Sequence, residues 1–169
     1  MPLFPGFSPT EEERAMEQKV EIRPSNIPGA GKGVFAKEFI PNGSYIGYYR
    51  GRSAAEKDLK DPTSHIFGSQ YVLGPITNKE FQEEPFYVCA KKEGNFTGII
   101  NSPRGTAYKT NTRYSLDGKM YTTRDIKAGS ELLAAYGSAY WNNPIYKGDT
   151  AKQKHSVRNN TRRRARVKN

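Results

Sequence analysis

A glycine-rich turn near the start of the chain is the first feature that could bind a ligand. Its sequence, Pro28-Gly-Ala-Gly-Lys-Gly33, precedes the apolar segment Val34-Phe-Ala. Turns of this kind hold phosphate when they end in Lys-Ser or Lys-Thr and a long helix follows, and neither condition holds here. Two interpretations remain. The turn is a tight connection between strands, or its missing side chains let a ligand contact backbone N–H and C=O groups. Such contacts suit an amino-acid-like group with an amine and a carboxylate.

A second candidate occupies residues 125–137, where a charged turn leads into an apolar run that stops at Tyr136. A buried strand from Leu132 to Tyr136 would explain this pattern, with the following glycine as its end. A ligand site at the tyrosine end of the segment is the alternative. Asn101 lies upstream in the apolar stretch Gly-Ile-Ile-Asn-Ser.

The elements that must position these residues are predicted as short strands between glycine turns. Strands are predicted at about 20–23, 34–36, 44–51, 70–73, 86–90, 112–116 and 119–123, the last two joined by a hairpin turn at Asp117-Gly118. Capping boxes predict two short helices, one after Thr10 and one after Ser53. The first nine residues are expected to form an extended leader. The chain is therefore predicted to be mostly β with short helical insertions.

Composition limits the kinds of protein this chain can be. Its 169 residues are enough for one domain with a modest core. The single cysteine, Cys89, excludes a disulfide framework and a cysteine-built zinc site within the chain, and no metal site is expected. No apolar run approaches membrane-spanning length, and the first residues do not have the pattern of a signal peptide. We therefore expect an intracellular protein with no membrane segment.

The net charge of +10 is concentrated at the C-terminus. Residues 147–169 contain nine Lys or Arg and one acid, which leaves 18 basic and 16 acidic residues in the rest of the chain. The dense basic run within 158–168 has three interpretations: a solvated tail, a nuclear-import signal, or an arm that contacts nucleic acid phosphates without sequence preference. Residues 147–169 are predicted to be a basic, disordered tail.

Several motifs, in their order along the chain, resemble the SET-domain protein lysine methyltransferases, with some features of the PR-domain branch. They are Gly31-Lys-Gly33-Val-Phe-Ala, Gly43 with Tyr49-Arg-Gly51, Gly94-Asn95 with Ile100-Asn101, Asn111, and Arg124-Asp-Ile-Lys-Ala-Gly-Ser-Glu131-Leu to Tyr136-Gly137. The resemblance implies a SET-domain β-clip of small sheets with a C-terminal pseudoknot that brings Asn101 beside Tyr136. The expected organisation is a leader and short helix at 1–18, a SET-like catalytic domain at 19–146, and the tail.

The resemblance also implies a cofactor, S-adenosyl-L-methionine, and residues that hold it. Ala30, Gly31 and Lys32 would contact its methionine part through the backbone. Asn101 and the backbone of Ser102 would hold the methionine amine and the adenine. The family usually has Asn-His-Ser-Cys where this chain has Asn101-Ser-Pro-Arg.

Aromatic residues complete the implied site. Trp141 or Tyr140 would stack on the adenine ring, and Tyr136 would lie at the methyl-transfer centre and contact the cofactor. Tyr49 and Tyr114 match tyrosines that line the channel for the substrate lysine. Tyr136, Tyr49 and Tyr114 are therefore the predicted catalytic residues.

Two functions follow from these features. The first is an active lysine methyltransferase in the nucleus, with a histone tail or another basic protein as its partner. The second is a SET-like module without catalysis that the tail tethers to chromatin or nucleic acid. The three tyrosines favour the enzyme, and the altered Asn101-Ser-Pro-Arg stretch favours the module.

Overall fold

The computed structural model describes residues 2–64, 66–67, 69, 71–91 and 94–135. The helices of this part of the chain are α1 (Glu11–Glu17), α2 (Glu56–Lys60) and a 3-10 helix (Phe96–Ile99). Its strands are β1 (Leu3–Phe4), β2 (Val20–Pro24), β3 (Lys32–Ala36), β4 (Tyr45–Tyr48), β5 (Gly51–Ala54), β6 (Val72–Ile76), β7 (Phe86–Cys89), β8 (Thr112–Tyr114) and β9 (Lys119–Thr122). The prediction of a mostly β fold with short helices is confirmed.

The described strands form small antiparallel sheets. One has the order β1-β5-β7-β6, a second pairs β2 with β3, and a third has the order β4-β9-β8. Asp117 and Gly118 form the predicted hairpin turn between β8 and β9, where Gly118 has a φ of 92° and the Asp117 carboxylate accepts from the Lys119 N–H at 3.1 Å. The Tyr-rich strand predicted for 44–51 is instead split between β4 and β5, which belong to different sheets.

The N-terminal residues are part of the same core as the rest of the described chain. The segment predicted as an extended leader contains β1, which pairs antiparallel with β5. Phe4 is only 2% exposed and packs edge-on against Tyr48 at 5.4 Å between ring centroids. Thr10 caps α1 with the reciprocal capping box that the sequence predicts.

Glu13 of α1 makes a buried ion pair with Arg50, the residue that follows Tyr49. The Arg50 guanidinium donates to the Glu13 carboxylate at 2.8 to 3.1 Å and to the Phe7 carbonyl at 2.8 Å. The same carboxylate accepts from the Tyr48 N–H at 3.4 Å. This contact therefore holds the N-terminal helix against the end of β4, directly beside Tyr49.

The capping box predicted at Ser53 is wrong. Ser53 lies within β5, where it pairs with Val88 and its N–H donates to the Pro2 carbonyl at 2.8 Å. Helix α2 begins at Glu56, and the Asp58 carboxylate accepts from the Ala55 N–H at 3.0 Å. Pairing with neighbouring strands therefore outweighs the local capping signal.

A single apolar cluster joins the sheets, with Val34, Ile40, Met120, Leu132 and Ala134 among its fully buried members. Within the described residues, no helix has both the length and the apolar character needed to cross a bilayer.

Residues 131–134 lie between the two ends of the loop 102–110. The Ala134 N–H donates to the Asn101 carbonyl at 2.9 Å, and the Leu133 carbonyl accepts from the Thr112 N–H at 3.0 Å. Both contacts are parallel bridges, and Glu131 forms an antiparallel bridge with Phe35 of β3. Over its described residues, the buried strand predicted from Leu132 to Tyr136 is therefore a series of isolated bridges to separate segments. It brings the chain after Glu131 beside Asn101, as the SET-domain resemblance implies.

Candidate functional site

Asn101 lies at the centre of the candidate site and is 7% exposed. It follows the 3-10 helix, whose first turn is closed by the Asn95 side chain accepting from the Thr97 N–H at 3.0 Å. The Asn101 Nδ2 amine donates to the Lys32 carbonyl at 2.8 Å and to Glu131 Oε2 at 3.3 Å. Both partners are acceptors, so the orientation of the amide is fixed. Among the described residues, no group donates to Asn101 Oδ1, which leaves a buried acceptor available for a ligand.

The glycine-rich turn contributes backbone to this site. Gly31 has a φ of 73°, a conformation that favours glycine, and its carbonyl accepts from the Ser25 N–H at 2.8 Å. Ala30 is buried in a small apolar cluster with Ile27 and Leu133. Lys32 exposes its side chain and uses its carbonyl to hold Asn101. The structure therefore brings the predicted residues Ala30, Gly31, Lys32 and Asn101 together.

Ser102 continues from Asn101 and is also buried. Its hydroxyl accepts from the Arg104 N–H at 3.2 Å, which shapes the turn that begins the loop. Among the described residues, no group accepts from the Ser102 backbone N–H. The side chain therefore has a structural contact, and the backbone N–H is left for a ligand.

Glu131 links the turn, Asn101 and the crossing segment, and the sequence did not single it out as a site residue. Its buried carboxylate accepts from Ser25 Oγ at 2.7 Å and from the Asn26 N–H at 2.8 Å. A Cβ built on Gly33 would overlap Glu131 Oε2 and come within 3.2 Å of Ser25 Cβ. Gly33 is therefore required for space. The only sequence signal for the contact between Gly33 and Glu131 was that both residues occur in the motifs quoted above.

Asn111 holds the crossing segment from its other edge. Its Nδ2 donates to the Glu131 carbonyl at 2.9 Å, and its Oδ1 accepts from the Leu133 N–H at 2.8 Å. These two bonds hold residues 131–133 from one side, while on the other side the Leu132 N–H donates to the Val34 carbonyl of β3 at 2.8 Å. Asn111 thus fixes the position of the Glu131 backbone relative to Asn101.

Two of the three predicted catalytic tyrosines lie next to each other. The Tyr49 and Tyr114 rings meet edge to face, with centroids 5.8 Å apart and an interplanar angle of 80°. The Tyr49 hydroxyl donates to the Tyr71 carbonyl at 2.6 Å, so the side chain has a fixed position. Tyr71 was not predicted, because the sequence shows no relation between it and Tyr49. Tyr136, Tyr140, Trp141 and the basic run at 158–168 lie outside the described residues.

Burial changes the acidity of nearby tyrosines. It raises the pKa of Tyr45 well above the usual range, and the Glu13 carboxylate raises it further. Burial also raises the pKa of Tyr48, against the opposing effect of Lys119. Both phenols therefore stay neutral to a higher pH than an exposed tyrosine does.

The described residues also form a cleft that reaches Glu131, a partner of Asn101. The cleft has a volume of about 560 Å³, and none of Ala30, Gly31, Lys32 or Asn101 lines it. Its lining residues are Asn26, Asn111, Glu131, Leu133 and residues 107–109, 124–127 and 129–130. No group of three or more His, Cys, Asp or Glu in the described part of the chain could hold a metal ion.

Comparison with known proteins agrees with this arrangement. The SET domain family model matches residues 31–137. Histone-lysine N-methyltransferase set-17 of Caenorhabditis elegans is 29% identical over 144 residues, which is 82% of this chain and 48% of that protein. The chain thus spans about half the length of this relative.

Two solved structures share the fold. The methyltransferase domain of human PR domain-containing protein 2 has a TM-score of 0.54 and 20% identity, covering 77% of this chain and 84% of that one. A humanized mutant of the Chaetomium thermophilum Polycomb Repressive Complex 2 has a TM-score of 0.53 and 24% identity, covering 70% of this chain and 15% of that one. Because the family model matches more than half of the chain, over the residues that build the site, this protein belongs to the SET domain family.

Proposed function

We propose that this protein is an S-adenosyl-L-methionine-dependent protein-lysine N-methyltransferase that acts on a histone or another basic protein. The observation that carries the proposal is the Asn101 amide. Its NH₂ group is held by the Lys32 carbonyl and Glu131, and its Oδ1 is a buried acceptor with no donor among the described residues. A buried acceptor of this kind fits an ammonium group, and S-adenosyl-L-methionine carries one on its methionine part.

The residues at the site fit this cofactor. Ala30, Gly31 and Lys32 offer backbone to its methionine part, Asn101 Oδ1 would accept from its amine, and the Ser102 backbone would contact the adenine. Trp141 is proposed to stack on the adenine ring, and Tyr136 to contact the methyl group. When bound, the cofactor supplies an activated methyl group on a sulfonium.

The tyrosines are proposed to prepare the substrate lysine. A lysine with a pKa of about 10.4 is protonated at pH 7, and removing its proton there costs roughly 4.6 kcal/mol. The aromatic walls formed by Tyr49 and Tyr114 take the ammonium out of water, which lowers its pKa. Held in place by the Tyr71 carbonyl, Tyr49 orients the amine, and such positioning can contribute several kcal/mol. Tyr136 would orient the amine and contact the methyl group.

The substrate and location follow from the relatives and the charge. The curated relative is named a histone-lysine N-methyltransferase. A basic protein partner in the nucleus is therefore proposed, with residues 158–168 as a non-specific contact to nucleic acid phosphates.

A catalytically inactive SET-like module is the second candidate. The specific observation that favours it is the Asn101-Ser-Pro-Arg sequence, since the hydroxyl of Ser102 is taken up by a contact within its own turn. Such a module would bind the cofactor or chromatin without methyl transfer.

Radiolabelled methyl transfer separates the two candidates. We expect the wild-type protein to label histone octamers or nucleosomes, and Tyr136→Phe to label them much more weakly while it still binds S-adenosylhomocysteine. Asn101→Ala should weaken binding of S-adenosylhomocysteine itself. A folded wild-type protein that binds the cofactor but labels no protein would favour the inactive module.

A further inference from the structure

We infer that Glu131 is a positioning residue of the cofactor site: its buried carboxylate holds the Asn101 amide so that Oδ1 points away from the protein's own acceptors and is open to a ligand amine. The inference deepens the proposed function and rests on it, because the amine is that of S-adenosyl-L-methionine.

Among the described residues, the groups that contact the Glu131 carboxylate are hydrogen-bond donors without a positive charge. The carboxylate is 4% exposed and accepts from Ser25 Oγ at 2.7 Å, from the Asn26 N–H at 2.8 Å and from Asn101 Nδ2 at 3.3 Å. In the part of the chain that the structure describes, no Lys, Arg or His pairs with it. A buried carboxylate that faces only donors must act as an acceptor at every contact. Its chemistry therefore dictates which atom of Asn101 faces it.

Two acceptors together exclude the flipped form of the Asn101 amide. The Lys32 carbonyl and Glu131 Oε2 each take one hydrogen of Nδ2. A flip would place Oδ1 against both oxygens, in a buried setting where such repulsion is strong. With Glu131 changed to a donor, only the Lys32 carbonyl would still favour the present orientation.

The space for Glu131 is also built into the site. A side chain on Gly33 would overlap its Oε2. Asn111 holds the Glu131 backbone carbonyl at 2.9 Å. The carboxylate is therefore constrained by the glycine turn on one side and by the loop end on the other, as a positioning role requires.

The substitution Glu131→Gln tests the inference because it keeps the size of the side chain and replaces the acceptor that faces Asn101 Nδ2 with a donor. A glutamine can place its oxygen toward the Asn26 N–H and its Nε2 toward Ser25, whose hydroxyl can accept. That Nε2 then faces Asn101 Nδ2, donor against donor. We expect the dissociation constant of S-adenosylhomocysteine, measured by titration calorimetry, to rise about tenfold or more, the loss expected for one charge-assisted hydrogen bond.

A second ligand distinguishes positioning from general loss of structure. 5′-Methylthioadenosine keeps the adenosine but lacks the α-amine and the carboxylate of the methionine part. Its binding therefore does not depend on Asn101 Oδ1. Its dissociation constant should change less than about twofold in Glu131→Gln. Glu131→Asp, which keeps the charge, should weaken S-adenosylhomocysteine less than Glu131→Gln does, and it serves as the test if Glu131→Gln does not fold.

Glu13→Gln is the matched control, since Glu13 is an equally buried carboxylate at the other end of the chain. It should leave the affinities of both ligands unchanged. The inference would be overturned if Glu131→Gln weakened the binding of both ligands equally, or if it did not weaken the binding of S-adenosylhomocysteine. A wild-type protein that binds neither ligand would instead overturn the proposed function, and the inference with it.

Discussion

The two regions around Glu13 and Glu131 both bury a glutamate, and they satisfy its charge in different ways. Glu13 is 3% exposed and meets the Arg50 guanidinium at 2.8 Å. Glu131 is 4% exposed, and its donors among the described residues, Ser25, Asn26 and Asn101, are all neutral. One carboxylate is neutralised by an ion pair, whereas the other is surrounded by oriented dipoles.

This difference separates a contact that stabilises the fold from one that shapes the site. A buried charge is costly unless it is paired and fully hydrogen-bonded. The Arg50 pair meets this requirement for Glu13 and holds α1 against β4. The donors that satisfy Glu131 are Ser25 and Asn26, which precede the glycine-rich turn, and the Asn101 amide. These groups are themselves parts of the candidate cofactor site. Changes at Glu13 should therefore affect folding, and changes at Glu131 should affect ligand binding.

The largest expected effect is that of Glu13→Ala on stability. Removing the carboxylate leaves the Arg50 guanidinium buried without its counter-charge, and such a loss costs about 3–5 kcal/mol in the free energy of unfolding. Urea denaturation measures it. Glu12→Ala, at an exposed position of the same helix, is the control and should cost less than about 1 kcal/mol. A small effect of Glu13→Ala would mean that this region does not differ from an exposed pair.

Gly33→Ala should have the next largest effect and should change both stability and ligand binding. Its added Cβ overlaps the Glu131 carboxylate, and overpacking of this kind costs about 1–3 kcal/mol. Because the overlap displaces Glu131, S-adenosylhomocysteine binding measured by calorimetry should also weaken. Gly43→Ala is the control: Gly43 has a φ of 80° and no atom near its Cβ position. That variant should lose stability through backbone strain and keep its affinity.

The smallest effect concerns alkaline pH and the Glu13 region. Burial, and then Glu13, raises the pKa of Tyr45, so the folded protein holds the phenol proton more tightly than the unfolded chain does. The stability from this group is complete below about pH 10 and is lost as the pH rises further. Urea denaturation at increasing pH should show this fall, and Tyr45→Phe should reduce it. An identical pH dependence in Tyr45→Phe would contradict this and assign the fall to Tyr48 and Tyr87, whose pKa values burial also raises.

Local elements were predicted best where a few neighbouring residues decide the structure. The Thr10 capping box and the Asp117-Gly118 hairpin formed as expected because their hydrogen bonds join residues two to three positions apart. The capping box at Ser53 failed because pairing with β7 competes for the same residue. The motif order also identified Ala30, Gly31, Lys32 and Asn101, which the structure brings together.

Local sequence patterns did not predict the contacts that hold the site residues in place. The sequence pattern also gave no reason for the glycine at position 98. A Cβ there would lie 2.6 Å from Ala90 Cβ, a contact between a 3-10 helix and the end of a strand. Tyr71 beside Tyr49, and Arg50 beside Glu13, were missed for the same reason, since each contact joins separate elements of the chain.

The sequence by itself determined the family, the mostly β character, the basic C-terminal segment and the residue types of the candidate site. Only the tertiary structure decided that Glu131 holds Asn101, that Gly33 leaves space for it, and that Glu13 pairs with Arg50. The physical reason is distance along the chain. Ser25 and Glu131 are 106 residues apart, and Asn101 and Lys32 are 69 apart. Contacts over such separations leave no periodic pattern, because they form only when the crossing segment packs between the ends of its loop.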